Sequence, residues 1–377
     1  MKTVGIICEY NPFHLGHSLQ LRSVRQKLAE EGEEACIVVL MSGSFVQRGG
    51  SAVLPKETRA AIALSEGADL VLELPFPWCM SGADRFAAGA MAILEGLGGI
   101  DYLAFGSETG NVDELAKIAR VIASPEFDKA VGEAAEARPD LSFAAQREIA
   151  YLQLTGEPLS KLSPNDLLGV AYLSHIKTIT PIVLHRLPGY SATKARRALQ
   201  ERDFAVLQEL VPPATIDALS ASAELSRDTF DRALIAHLLL TPADVIASAA
   251  ECNRELASRL TDAAARSRTV AEVVEKATSK HYTAARVRRA LWHSYLGTPA
   301  TTPMGLPHYT NLLAANERGR AFLRAVSKKS EITVVTRPSN AAKDPQIVTE
   351  SAFSETRDHV FRLFSGISSE KKPPILK

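Results

Sequence analysis

The apolar run Val4-Gly5-Ile6-Ile7 leads through Cys8-Glu9-Tyr10 to Asn11-Pro12, and then into Phe13-His14-Leu15-Gly16-His17-Ser18-Leu19-Gln20. No other stretch restricts the fold as strongly. The run reads as a strand buried on both faces, Asn11-Pro12 breaks it, and a helix opens near Leu15. The first backbone N–H groups of that helix lack partners and its dipole is positive there, so an anion at its tip is stabilised by geometry alone. His14 and His17, three residues apart on the first turn, can add donors to the same oxygens, and Gly16 leaves room for a nucleotide against the backbone. The pattern suits the α-phosphate of ATP. The same pair also fits a capped helix start or half of a metal site. No G-x-x-x-x-G-K-[ST] and no convincing G-x-G-x-x-G competes for a phosphate.

Apolar runs at residues 4–7, 37–41, 69–74, 102–105 and 181–184 alternate with helical patterns at 19–31, 56–66, 85–97, 112–122, 143–154 and 167–176. This alternation predicts an α/β fold with a doubly wound parallel sheet, where ligands collect at the carboxyl ends of the strands. Gly32 supplies the stop for the first helix. From about Ala192 the chain turns Ala-rich and helical, with one late strand at 331–336. A boundary is expected near residue 205, giving an α/β domain over 1–205, a mainly helical region with a small α/β element over 206–367, and a flexible tail over 368–377.

A chain of 377 residues has ample core for two such units. Its 46% hydrophobic and 23% charged residues are those of a globular protein, and no apolar run approaches a bilayer span. Met1 leads straight toward the first strand with no leader-like segment. The cysteines Cys8, Cys36, Cys79 and Cys252 are far apart and form no C-x-x-C. Together these features point to the cytoplasm, with reduced thiols and no resident metal. The formal net charge is zero, but ten Lys and Arg stand against two Glu between residues 278 and 337, so a basic face for a phosphate backbone is available.

Further residues have the chemistry of a phosphate site. Met41-Ser42-Gly43-Ser44-Phe45-Val46-Gln47-Arg48-Gly49-Gly50 has the content of a substrate loop, or of an ordinary strand-to-helix connection. Lys56 and Arg59 open a helix against its dipole, which makes sense if an anion lies between them; otherwise they are surface charges. Gly106 permits close approach of a base or ribose. Asn165 or Asp166 caps a helix, and an amide there can also read adenine. Arg186 ends the fifth strand, and Ser191-Ala192-Thr193-Lys194-Ala195-Arg196-Arg197 starts the next helix with hydroxyls ahead of cations, as a phosphate site or a simple Ser cap.

Taken together, these segments resemble the bacterial tRNA(Met) cytidine acetate ligase family, a branch of the HxGH nucleotidylyltransferase superfamily. The resemblance rests on residues 9–17, on 42–49, on Leu72-Glu73-Leu74-Pro75, on Phe105-Gly106-Ser107-Glu108, on Ser163-Pro164-Asn165 with Leu168-Gly169, and on Ser191-Ala192-Thr193 followed by Arg196. Lys280-His281-Tyr282-Thr283 with Arg286 and Arg289 is similar to the family's helical part. The chain departs from the pattern at Ser44, where Asn is usual, at Ala195, where Ile is usual, and in a shorter link before Ser191. The resemblance implies a Rossmann-like, HUP-type nucleotidylyltransferase domain with a helical tRNA-binding part. It implies activation of acetate by ATP, with magnesium accompanying the nucleotide. It also implies transfer of the acetyl group to the wobble cytidine of elongator tRNA(Met). ATP contacts carry over to Ile7, Cys8, Glu9, Tyr10, Asn11, Pro12, Phe13, His14, Leu15, Gly16, His17, Ser18, Leu19 and Gln20, and to Gly106, Asn165 and Arg186.

Catalysis is then expected of His14 and His17 at the α- and β-phosphates and of Ser191, Thr193 and Arg196 at the leaving pyrophosphate. Lys56 and Arg59 are expected to hold phosphates or the anticodon. Arg286, Arg289 and His293 fall on one helical face at i, i+3 and i+7, which with Lys280 is a candidate stripe for tRNA phosphates. A small-metabolite adenylyltransferase and a non-catalytic RNA-binding protein are the alternatives from other classes.

Overall fold

Every residue of Ala35–Ser42 is buried, and its side chains divide between two cores, Cys36, Val38 and Leu40 on one face and Ile37, Val39 and Met41 on the other. A strand apolar on both faces needs cover on both sides, the condition met by a parallel sheet between crossover helices. Each such aliphatic side chain contributes about 1.5–3 kcal/mol by leaving water.

The computed structural model describes residues 1–138, 141, 143–186, 189–221, 227–300, 305–337, 341–342, 344–365 and 373–377. Its strands in chain order are β1 (Lys2–Cys8), β2 (Ala35–Ser42), β3 (Phe45–Val46), β4 (Gly50–Ser51), β5 (Leu70–Leu74), β6 (Tyr102–Ser107), β7 (Thr180–His185), β8 (Tyr309–Ala315), β9 (Thr333–Val335) and β10 (Ile375–Leu376). The main sheet runs β10-β8-β5-β2-β1-β6-β7, with β9 paired to β8, while β3 and β4 form a separate hairpin. β5, β2, β1, β6 and β7 are mutually parallel, and β8 joins β5 in the opposite sense. Strand order reverses direction between β1 and β6, so a crevice opens beyond their carboxyl ends.

All five strands expected from apolar runs are present; four are slightly longer than their runs, and β5 begins one residue later than its run, at Leu70. The boundary expected at residue 205 does not divide the sheet. β8, β9 and β10 all come from beyond it, and helices Arg254–Ala264 and Ala284–Tyr295 share one hydrophobic core with β2 and β5. The late strand at 333–335 pairs with β8 instead of closing a separate lobe. Of the expected flexible tail, 368–372 lies outside the described residues, and Ile375–Leu376 pairs in parallel with Ala314 and Ala315 of β8.

Candidate active site

The segment after β1 is shaped by its backbone before any side chain acts. Tyr10 adopts φ +47°, an uncommon conformation for a residue with a Cβ, and it turns the chain toward the helix Leu15–Glu30. Two contacts hold this turn to the loop after β2: Gln47 N donates to Glu9 Oε1 at 2.7 Å, and Val53 N donates to Asn11 Oδ1 at 2.8 Å. His14 is the extended N-cap residue. Its ring stacks on that of His17, centroids 3.6 Å apart and planes 18° apart, and Tyr10 and Phe13 pack against His17.

His14 N donates to His17 Nδ1 at 3.1 Å. A nitrogen that accepts carries no proton, so the neutral His17 ring bears its proton on Nε2 and keeps a donor for a ligand. Both rings are held neutral. Burial, then the Arg186 charge, lowers His14 to about 4, and burial, His14 and Arg186 lower His17 well below the usual histidine value. The positive field at this helix tip therefore comes from the helix dipole and the arginines, and the imidazoles supply oriented N–H groups. The room expected at Gly16 is taken by protein: a Cβ there would lie 3.0 Å from the His14 ring and 3.1 Å from Tyr190 Cβ.

The second motif meets the first through Arg196, which donates to the Asn11 carbonyl at 2.6 Å and to Thr193 Oγ1 at 3.2 Å. Ser191 caps the helix Ala192–Glu201 by accepting from Lys194 N at 3.1 Å, and Thr193 is exposed. Across the crevice, Glu108 gathers Arg186 Nη1 at 2.7 Å, Asn165 Nδ2 at 2.6 Å and the Ser163 hydroxyl. Gly106 stands at the end of β6, with Arg186 carbons as the nearest neighbours to a Cβ placed there. Gly106, Asn165 and Arg186 thus converge around a carboxylate to which the sequence assigned no role. Burial opposes ionisation of Glu108, yet the bonds from Ser163, Arg186 and Asn165 hold it below its usual value. The helix cap here is Ser163, accepting from Asp166 N at 3.0 Å, which leaves the Asn165 amide clear of that duty.

Two sets of expected residues lie elsewhere. Lys56 is buried, bonded to both Glu73 oxygens at 2.7 and 2.8 Å and to Asp358. Arg59, 0% exposed, donates to the carbonyls of Leu54, Glu9, Ser42 and Gly43. The anion expected between them is replaced by carboxylates and backbone of the protein itself. Arg59 acts on the site through structure, by clamping the turn after β1 to the loop after β2.

The expected stripe on Ala284–Tyr295 faces inward. Arg289 pairs with Glu251 at 3.1 Å and donates to the Gln47 carbonyl at 3.3 Å, and His293, 1% exposed, donates from Nε2 to the Met80 carbonyl at 2.9 Å. Arg286 is half-buried, donating to the Glu251 carbonyl, and only Lys280 of the four is exposed. The spacing placed these residues on one face correctly, but that face docks the helical part onto the sheet domain.

Burial holds His293 at about 4, whereas an unfolded histidine titrates near 6.5. Between these values the unfolded chain binds more protons, so the contribution of His293 to stability, and that of His14, is lost as pH falls from about 6.5 toward 4. Thermal melting should therefore drop across that window, and His293→Gln, which keeps a donor for Met80, should show a smaller drop. An equally steep fall in the variant contradicts the assignment.

A Rossmann-like sheet whose first strand delivers stacked imidazoles to a helix tip defines a nucleotidyl transferase, and the family model described as HIGH Nucleotidyl Transferase matches residues 1–365. Curated relatives narrow the class. The tRNA(Met) cytidine acetate ligase of Caldanaerobacter subterraneus subsp. tengcongensis is 32% identical over 363 residues, covering 89% of each chain. That of Syntrophotalea carbinolica is 34% identical, covering 89% of this chain and 85% of the relative. The crystal structure of Thermotoga maritima TmcAL bound with alpha-thio ATP superposes with a TM-score of 0.89 at 26% identity, covering 100% of this chain and 99% of that one. The chain belongs to the tRNA(Met) cytidine acetate ligase family.

Proposed function

We infer that the protein is an ATP-dependent ligase that acetylates the wobble cytidine of elongator tRNA(Met) to N4-acetylcytidine. In the first step an acetate oxygen attacks the α-phosphorus of ATP, the bond to the β-phosphate oxygen breaks, and pyrophosphate leaves with acetyl-adenylate remaining. In the second step the exocyclic N4 of cytidine attacks the acetyl carbon, AMP departs with the bonding pair, and the amine gives up a proton. Acetate is ionised at neutral pH, so the first step needs alignment and charge stabilisation and no base.

The observation that carries this reading is the stacked, neutral His14–His17 pair at the start of its helix, in a chain whose relatives bear the ligase name. The Nε2–H of His17 and the N–H groups of the first turn are assigned to the α-phosphate. Arg196, with Thr193 and Ser191, is assigned to the leaving pyrophosphate, and residues 7–20 with Gly106, Asn165 and Arg186 are assigned to the nucleotide. Lys56 and Arg59 are withdrawn from phosphate contact and act as supports. Magnesium would accompany the nucleotide, where it would offset charge on the phosphates. No helix among the described residues is long and apolar enough to cross a membrane. A cytoplasmic setting fits the four free cysteines.

Incubation with ATP, labelled acetate and total tRNA tests this function. The label is expected on the N4 of the wobble cytidine of elongator tRNA(Met), with one pyrophosphate released per acetyl group. Label confined to a small molecule, or no label in RNA, contradicts it.

A further inference from the structure

The helix Ala284–Tyr295 meets the loop after β2 at a point where no side chain fits. Gly49 adopts φ +80°, and a Cβ there would lie 2.7 Å from Arg289 N and 2.8 Å from Arg288 Cβ. This close approach sends two adjacent arginines to different tasks. Arg289 turns inward to Glu251, as described above. Arg288 stays at the rim, where its Nε donates to the Arg48 carbonyl at 3.2 Å, and Arg48 itself is exposed.

The Arg288 guanidinium is thereby held against the backbone of Arg48, 240 residues away in sequence, close enough for the Arg48 charge to act on it. Neither has a carboxylate partner within ion-pair distance among the described residues. Burial, then the charges of Arg48 and Arg289, push Arg288 below its ordinary value. The Glu9 carboxylate, on which the Arg48 charge acts, is engaged by Gln47 N and forms no ion pair with either arginine; an external anion completes such a rim, and guanidinium forks match phosphate oxygens better than a single point charge does.

We propose that Arg48 and Arg288 form a joint binding site for backbone phosphates of the acceptor RNA, at the seam between the helical part and the sheet domain. The proposal rests on the ligase reading and gives it an entry side for the anticodon arm. Its position suits that role. Gln47, the residue before Arg48, is the anchor that bonds Glu9 of the nucleotide-binding segment, so an RNA strand held by the pair lies beside the site where acetyl-adenylate forms. The triphosphate has its own cations: Arg186 and Arg196 are the arginines whose charge acts on His14. The pair also exists only when the helical part is docked, which ties RNA binding to the assembled protein.

Binding of an elongator tRNA(Met) transcript, measured across a salt series for wild type, Arg288→Glu and Arg48→Glu, tests the proposal. Each single reversal is expected to weaken binding at least tenfold near physiological salt and to lower the slope of log K against log salt by about one. Arg288→Gln, which adds no repulsion, is expected to show the same slope change with a smaller loss of affinity, and it covers the case in which a reversal fails to fold. ATP titration of the same variants is expected to give wild-type affinity. Unaltered tRNA affinity and slope overturn the proposal, and so does ATP binding that weakens in step, which would hand the pair to the triphosphate. Acetate-dependent ATP–pyrophosphate exchange by the wild type separates the two levels: its absence sinks the ligase reading, whereas its presence with unaltered tRNA slopes sinks only the arginine pair.

Discussion

His17→Ala is expected to lower acetate-dependent ATP–pyrophosphate exchange about a hundredfold, a loss of ~3 kcal/mol of barrier stabilisation. The geometry gives two reasons. Because His14 N donates to Nδ1, the Nε2 of His17 carries the proton, and removing the ring deletes a donor aimed from the helix tip. The ring is also the surface on which His14 stacks, so its loss frees His14 to leave the aligned orientation. Since both rings are neutral near pH 7, the effect should persist from pH 8 down to about pH 6 without an inflection at the ordinary histidine value in kcat/KM. Far-UV circular dichroism and a melting curve on the same preparation separate a lost donor from a collapsed loop. Unaltered exchange in a folded variant contradicts the role given to His17.

Lys56→Ala carries the largest expected loss of stability, about 3–5 kcal/mol, because it strands buried carboxylates without a partner. Glu73 is 1% and Asp358 13% exposed at the side chain, and Lys56 bridges them although it lies 302 residues from Asp358 in sequence. Burial works against the ammonium, yet Asp358 and Glu73 hold its pKa above the ordinary lysine value, so the cluster stays charged. Asn311 also donates to Glu73, at 2.8 Å. The cluster therefore ties β5, β8, the helix Lys56–Ser65 and the long helix Pro345–Ser365 into one unit. Adding Glu73→Gln and Asp358→Asn to Lys56→Ala should recover most of the loss, since the stranded charges are then gone. Denaturant unfolding of the single and triple variants checks both statements; a single variant within about 1 kcal/mol of wild type would show that the cluster is not balanced as described.

The junction after β1 was legible because its signals are local: an apolar run, a breaker, and two histidines at the spacing of one helical turn. The same holds for the strands that read as unbroken apolar runs. β8 was not, because Thr310 and Asn311 interrupt its pattern, and those polar residues are there to serve Glu73. β10 is two residues long, and its pairing is fixed only by the neighbouring strand. Lys56 and Arg59 looked like an anion site because cations at a helix start have no visible partner in one dimension; their partners sit on other elements or are backbone carbonyls. Helical spacing put Arg289 and His293 on one face but carried no sign for inside or outside. What decides that is the approach at Gly49 and the acceptors Glu251 and Met80, none of which is near in sequence.

The helix tip carrying His14 and His17 is assigned the grip on the innermost phosphate of ATP. A crystal structure of the protein with a non-hydrolysable ATP analogue tests it most directly. An α-phosphate oxygen is expected about 3 Å from His17 Nε2, with the remaining phosphates reaching toward Arg196. A nucleotide bound elsewhere, with the two rings facing an unfilled cleft, would contradict it.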